Sequence, residues 1–329
     1  MPFKRARWLT EYAAVQGLSL ALALLPVRGR MWVGRALGRA VYSVDKRHRQ
    51  VALDNLTAAY PQSGREWREG IARGAFEHLG RLLVEILRQG ADASESMSLS
   101  KIEGWEWLRR VEAEGRGYFL LSGHFGNWER VAHLQGALSF PLWMVARPLD
   151  NPYLERFFAR RRESTGNRVV YKRNALREVA KGLKAGKGVA FVIDQNFGEA
   201  ARVFVPFFGR LAATTPALGR LAVRFNAPVL PVFAYPEARG RYRIVYGPPI
   251  DVPSTGDPEA DALELTVRAT ARIEEAVRAC PTAWFWMHRR WRSRPEGEVE
   301  NEHFGSSFVT AGDEESQRVN ETTSERNKE

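Results

Sequence analysis

The chain has 329 residues, 44% hydrophobic and 26% charged, the make-up of an ordinary globular protein rather than a fibrous or low-complexity one. Its one cysteine, Cys280, excludes an intrachain disulfide framework and any multi-cysteine metal site, and suits a reducing compartment. The net charge of +11 hides a division: residues 296–329 carry 10 acidic and 3 basic side chains, which leaves +18 on residues 1–295, a body suited to anionic partners.

Residues 12–27 (YAAVQGLSLALALLPV) are almost all small or apolar. Sixteen helical residues span roughly 24 Å, short of the ~30 Å hydrocarbon core. Adding Trp8 and Leu9 lengthens the stretch at the cost of burying Glu11. No small-x-small cleavage site follows it, so an anchor or shallow insertion is expected rather than a cleaved signal peptide. Lys4, Arg5 and Arg7 precede the stretch; Arg28, Arg30, Arg35, Arg39, Lys46, Arg47 and Arg49 follow it, which predicts a cytoplasmic body. The competing reading is a buried core helix.

Residues 45–115 read as helical, with Ile71, Ala75, Leu79, Leu82 and Ile86 on one face. From 118 the texture changes. Short apolar runs at 118–122, 142–146, 189–193 and 229–233 alternate with helical patterns such as 174–184, and a last helix runs near 258–279 up to Cys280-Pro281. The alternation predicts an α/β fold with a mostly parallel central sheet flanked by helices. The expected organisation is a membrane anchor and basic segment at 1–44, a catalytic domain at 45–298 and an acidic, disordered tail at 299–329.

In such sheets reactive groups collect at the carboxyl ends of strands. The run 118–122 ends in Gly123-His124-Phe125-Gly126-Asn127-Trp128-Glu129, where Asn127 is suited to cap a helix. His124 and Glu129 would stand about 140° apart on a helix, so they could not meet if both were helical. With His124 in the turn and Glu129 in the first helical turn, the carboxylate is expected to reach back to the imidazole. Such a pair can take a proton from a hydroxyl.

His124-Phe125-Gly126-Asn127-Trp128-Glu129 resembles the His-x-x-x-x-Asp/Glu motif of the glycerolipid acyltransferases, in the form used by the lipid A biosynthesis acyltransferases. Arg147-Pro148-x-Asp150-Asn151-Pro152, Asp194-Gln195-Asn196, Phe204 to Gly209, Thr214-Thr215-Pro216 and Trp286 to Trp291 extend the resemblance over residues 8–298. It implies transfer of a fatty acyl chain from acyl carrier protein to a hydroxyl of a lipid A precursor, at the cytoplasmic face of a bacterial inner membrane. A thioester donor needs a base, oxyanion donors and an acyl groove, and no serine or cysteine stands out as a covalent nucleophile, so direct attack is expected. Other readings are the same chemistry on a phosphatidylinositol mannoside or an aminolipid with a coenzyme A donor, and a catalytically silent membrane-binding protein.

The expected site set is His124 and Glu129 for chemistry, with Asn127, Arg147, Asp194, Gln195 and Thr214 for substrate. Arg147 follows the run 142–146 and is suited to a phosphate. The resemblance implies that Asp194 stands near the acceptor. The Arg160-Arg161-Arg162 run suits a solvated face that an acidic carrier protein or anionic headgroups could meet. Trp284, Phe285, Trp286 and Trp291, interleaved with Arg289, Arg290 and Arg292, suit a headgroup layer. Nucleic acid is not expected, because no recognisable module is present. Scattered histidines and the lack of phosphate-loop or dinucleotide motifs predict chemistry without metal or cofactor.

Overall fold

The structure, a computed structural model, describes residues 2–88, 93–171 and 175–297. The helices, in chain order, are α1 (Pro2–Ala23), α2 (Val27–Val44), α3 (Lys46–Ala59), α4 (Arg65–Arg88), α5 (Ala93–Ser98), α6 (Trp105–Ala113), α7 (Trp128–Ala137), α8 (Pro152–Glu163), α9 (Ala175–Lys184), α10 (Ala217–Phe225) and α11 (Pro258–Ala279). The strands are β1 (Ser100–Glu103), β2 (Tyr118–Ser122), β3 (Leu142–Ala146), β4 (Arg168–Tyr171), β5 (Gly188–Val192), β6 (Val203–Phe207), β7 (Arg210–Thr214), β8 (Val229–Pro236) and β9 (Tyr242–Tyr246). Residues 1–294 form one unit; beyond it, 295–297 carry no helix or strand, and the expected acidic tail lies outside the described residues.

Seven strands pair in the order β1-β9-β8-β2-β5-β3-β4, and β6 and β7 form a separate antiparallel hairpin. β2 sits in the middle, with all five residues buried. Its side chains alternate between two cores, as the pleat requires. Phe119 and Leu121 join a large cluster with residues of α3, α4, α10 and α11, while Tyr118 and Leu120 join a smaller one with residues of α6 and α7. This places the end of β2 at the centre of the molecule, where a turn can be held from several sides.

The expected fold class is corrected. Helices hold more than half of the described residues, and the small sheet is mixed, because β9 runs antiparallel to β8. The short connection between those two strands permits only a hairpin-like reversal.

The N-terminal membrane-anchor helix is corrected as well, and with it the placement in a bacterial inner membrane with the catalytic domain on the cytoplasmic face. Among the described residues no helix is long and apolar enough to cross a membrane. α1 has 22 residues, but Lys4, Arg5, Arg7 and Glu11 lie within it. One side of it is tied to the body. Asn151 Nδ2 donates to Glu11 Oε2 at 2.8 Å and to the Trp8 carbonyl at 2.9 Å, and Ser19 Oγ donates to the Leu87 carbonyl at 2.8 Å. Leu22 is buried there with Val84 and Leu87 of α4. α2 then lies close against α4: a Cβ on Gly38 would come 2.2 Å from the Phe76 carbonyl oxygen, so only glycine allows this approach.

Candidate functional site

β2 and β5 are adjacent and parallel, with Ser122 opposite Val192. Two residues further along the same register, His124 stands opposite Asp194, and their side chains meet. Nδ1–H of His124 donates to Asp194 Oδ1 at 2.8 Å. Asp194 Oδ2 accepts the backbone N–H of His124 and the indole N–H of Trp284, each at 2.7 Å. The aspartate side chain is 1% exposed and the histidine side chain 22%, so the pair is rooted in the core while the ring reaches the surface. Trp128 lies edge-on to the imidazole, with centroids 5.0 Å apart.

The turn that carries His124 is held from three directions. Gly126 donates its N–H to the Ala283 carbonyl at 2.8 Å, and Phe285 donates to the His124 carbonyl at 3.1 Å. Buried His78 of α4 meets the Gly126 carbonyl through Nε2 at 3.1 Å. Gly126 has φ +58°, and a Cβ there would lie 1.6 Å from the Ala234 carbonyl oxygen of β8. A left-handed conformation and a close backbone approach thus both require glycine. Asn127 caps α7: its Oδ1 accepts the Arg130 N–H at 2.8 Å, and its Nδ2 donates to buried Glu85 at 2.6 Å.

Charge and burial set the proton affinities. Burial disfavours the imidazolium of His124, but the charge and hydrogen bond of Asp194, with the charge of Glu129 behind them, outweigh it and raise the histidine above its ordinary value. Burial works against the Asp194 carboxylate too. His124 and the Trp284 N–H outweigh it and hold this acid well below the usual range. An imidazole whose Nδ1–H is committed to a carboxylate has its Nε2 lone pair free to accept a proton from a hydroxyl.

The carboxylate that meets the ring nitrogen is therefore that of Asp194, 70 residues on, whereas Glu129 faces Arg162 of α8. Arg162 holds it in a fork, with Nη2 to Oε1 at 2.6 Å and Nε to Oε2 at 3.0 Å. Geometry explains the difference: the register extends β2 and β5 toward each other, while the start of α7 turns Glu129 toward α8. Arg147 lies exposed just beyond β3. Half-buried Gln195 accepts from Arg290 Nη1 at 3.1 Å through its backbone carbonyl. Thr214 is fully buried, and its hydroxyl accepts from Arg290 Nη2 at 2.6 Å. Arg290 thus links Gln195 to Thr214, and the side chains of Asn127 and Thr214 are committed to protein partners.

The segment after α11 was expected to suit a headgroup layer, and this is corrected: Trp284, Trp286, Trp291 and Arg290 are all buried. Arg290 is 0% exposed, binds the carbonyls of Ala213 and Gln195, and stacks 5.3 Å from the Phe207 ring centroid. Burial lowers its pKa to about 10. His288 Nε2 accepts the Asn196 N–H at 2.8 Å, and Asn55 Nδ2 donates to the carbonyls of Trp286 and His288, both at 2.7 Å. This segment straps the Asp194 loop to the β6–β7 hairpin. Sequence reasoning missed the roles of Trp284, Arg162 and His78. The dense aromatic and arginine run was the only signal for the first, and it reads equally well as a surface. Among the described residues no group of three or more His, Cys, Asp or Glu side chains is arranged to hold a metal ion.

A histidine–carboxylate pair at the ends of adjacent parallel strands, open on one side, is the equipment of a group-transfer enzyme acting on a hydroxyl. The chain belongs to the bacterial lipid A biosynthesis acyltransferase family, whose model matches residues 1–293. It is 29% identical over 294 residues to the lipid A biosynthesis palmitoleoyltransferase of Escherichia coli K12, covering 88% of this chain and 93% of that one. It is 29% identical over 296 residues to the lauroyltransferase of the same organism, with 88% and 93% covered. The myristoyltransferase there is 24% identical over 302 residues, 91% of each chain. The chain is thus an O-acyltransferase of lipid A and lipopolysaccharide biosynthesis, a branch of lipid metabolism.

Proposed function

We propose that the enzyme moves a fatty acyl chain from acyl carrier protein to a hydroxyl of a lipid A precursor by direct attack, with His124 as general base. Nε2 takes the hydroxyl proton as the oxygen attacks the thioester carbonyl. The tetrahedral intermediate then collapses, the C–S bond breaks, and the imidazolium returns its proton to the departing thiolate. Asp194 is a positioning residue that fixes the tautomer and stabilises the imidazolium. The observation that carries this reading is the 2.8 Å contact of His124 Nδ1 with a buried carboxylate beneath a ring that remains 22% exposed.

Glu129 acts beside the dyad: its charge adds to the proton affinity of His124, and its fork keeps the Arg162 guanidinium next to the reacting groups. Arg147 and Gln195, on the loops after β3 and β5, meet substrate, Arg147 through a phosphate. Asn127 and Thr214 act on substrate only through the turns they hold. Exposed Arg156 and Arg160, one turn apart on α8, present the positive charge that the acidic carrier protein meets.

The test is mass spectrometry of a lipid A precursor incubated with the full chain and either acyl carrier protein thioester or coenzyme A thioester. The expected product is heavier by one acyl chain and forms faster from the carrier protein donor. No product from either donor, or product from coenzyme A alone, overturns the assignment.

A further inference from the structure

We infer that Trp284 is a positioning residue of the dyad, whose indole N–H holds the Asp194 carboxylate in line with the imidazole and sets how strongly it attracts the proton. The inference rests on the reading of His124 as the base. Asp194 divides its oxygens unequally. Oδ2 accepts two donors, the His124 backbone N–H and the Trp284 indole N–H, each at 2.7 Å, while Oδ1, among the described residues, serves the imidazole alone. With Oδ2 filled, the carboxylate cannot twist out of line with the imidazole without breaking two charge-assisted bonds.

The indole is itself fixed. Trp284 is 2% exposed, with Trp286 edge-on at 4.6 Å and Phe207 at 5.4 Å between ring centroids. Its flanking residues grip the histidine turn by main chain, through the Ala283 carbonyl and the Phe285 N–H. One three-residue stretch therefore holds both members of the dyad: the histidine by backbone and the aspartate by an indole. A tryptophan that only filled the core would not need its single donor on the buried carboxylate, and Trp286 next door sends its N–H to the Pro281 carbonyl instead, at 2.7 Å.

Removing the indole donor leaves the carboxylate more basic and the imidazolium better stabilised, so the proton affinity of His124 rises. The variant Trp284→Phe keeps an aromatic ring and loses only that donor. In the full chain its kcat is expected to fall about tenfold, because a carboxylate held by one donor instead of two no longer keeps the imidazole aligned, and that loss outweighs the gain in basicity. KM for donor and acceptor should stay within about twofold. The acid limb of the pH profile of kcat/KM moves upward by about half a pH unit or more. Trp105→Phe, which removes an indole on α6 packed against Phe140 and Tyr246, retains the parent kcat and limb. NMR titration of the His124 ring reads the same upward shift without turnover. A Trp284→Phe enzyme with parent kcat and limb overturns the inference, as does an equal drop and shift in Trp105→Phe. If His124→Ala is inactive while Trp284→Phe matches the parent, only the role of Trp284 falls; if His124→Ala is active, the dyad reading falls first.

Discussion

Replacing Asp194 by asparagine tests the electrostatics of the site. The substitution preserves size and removes the charge that faces the imidazole at 2.8 Å. Opposite charges about 4 Å apart at an effective dielectric of about 20 interact by about 4 kcal/mol, which corresponds to roughly a thousandfold in rate when the imidazolium forms at the transition state. Asparagine adds a second fault. Its Oδ2-side position must accept two N–H donors, so its amide N–H₂ is turned toward Nδ1 and favours the tautomer with the proton on Nε2, where the base needs a lone pair. Asp194→Asn is thus expected to lose about 10³-fold in kcat with KM little changed, measured as acyl product per enzyme under saturating donor. The pH profile gives the sign. In the parent, Asp194 raises His124 against the opposing effect of burial, so the acid limb lies above that of an ordinary histidine. Without the charge, burial prevails and the limb of the residual activity moves to lower pH. A variant that retains more than about a tenth of the parent kcat, with an unmoved limb, refutes the reasoning.

Gly126→Ala would put a Cβ 1.6 Å from the Ala234 carbonyl oxygen at a φ of +58°, and is expected to cost about 3 kcal/mol in chemical denaturation; a variant as stable as the parent contradicts the close approach. His78, pushed down to about 4 chiefly by burial, is neutral in the fold but has its ordinary 6.5 when unfolded. The unfolded chain therefore binds the extra proton first, and stability falls as pH drops from 6.5 toward 4, by about 2 kcal/mol at pH 5 relative to pH 7. Glutamine there keeps a donor near the Gly126 carbonyl and cannot be protonated, so denaturation of His78→Gln should lack that part of the loss; equal losses in parent and variant contradict it. Arg156→Glu combined with Arg160→Glu raises KM for the carrier protein donor about tenfold at low salt and leaves kcat intact. A KM that does not move removes the docking edge.

Much of the secondary structure was legible because it rests on local pattern. The runs at 118–122 and 142–146 are β2 and β3, the pattern at 174–184 is α9, and the last helix spans Pro258–Ala279. β9 was available in the same terms, since Tyr242, Ile244 and Tyr246 alternate toward the core with half-buried neighbours. β4 offers only Val169 and Val170 between exposed ends, too little for any periodicity. The β6–β7 hairpin turns on Phe208 and Gly209, both at positive φ, and phenylalanine is not a residue that announces such a turn. The charges inside α1 were visible, but what they do depends on Asn151, 140 residues away from Glu11.

The site shows the same limit. His124 and the capping role of Asn127 follow from their immediate neighbours. The partner of His124 does not, because chain proximity points to Glu129, five residues on, while strand order and register deliver Asp194. Nothing in the spacing of residues 124 and 194 shows that β2 and β5 lie side by side. Trp284 and Arg290 looked like a surface run for the related reason that burial of a charged and aromatic segment is decided by partners distant in sequence. Register, in other words, carries the information that composition and periodicity lack.

The most direct test of the account is the single-turnover rate of acyl transfer by His124→Asn, a variant whose fold is checked by circular dichroism and melting. With saturating acyl carrier protein thioester and lipid A precursor, the rate is expected to fall below about a thousandth of the parent while both substrates still bind. A folded variant that transfers the acyl chain within about tenfold of the parent rate would contradict the claim that this imidazole removes the hydroxyl proton.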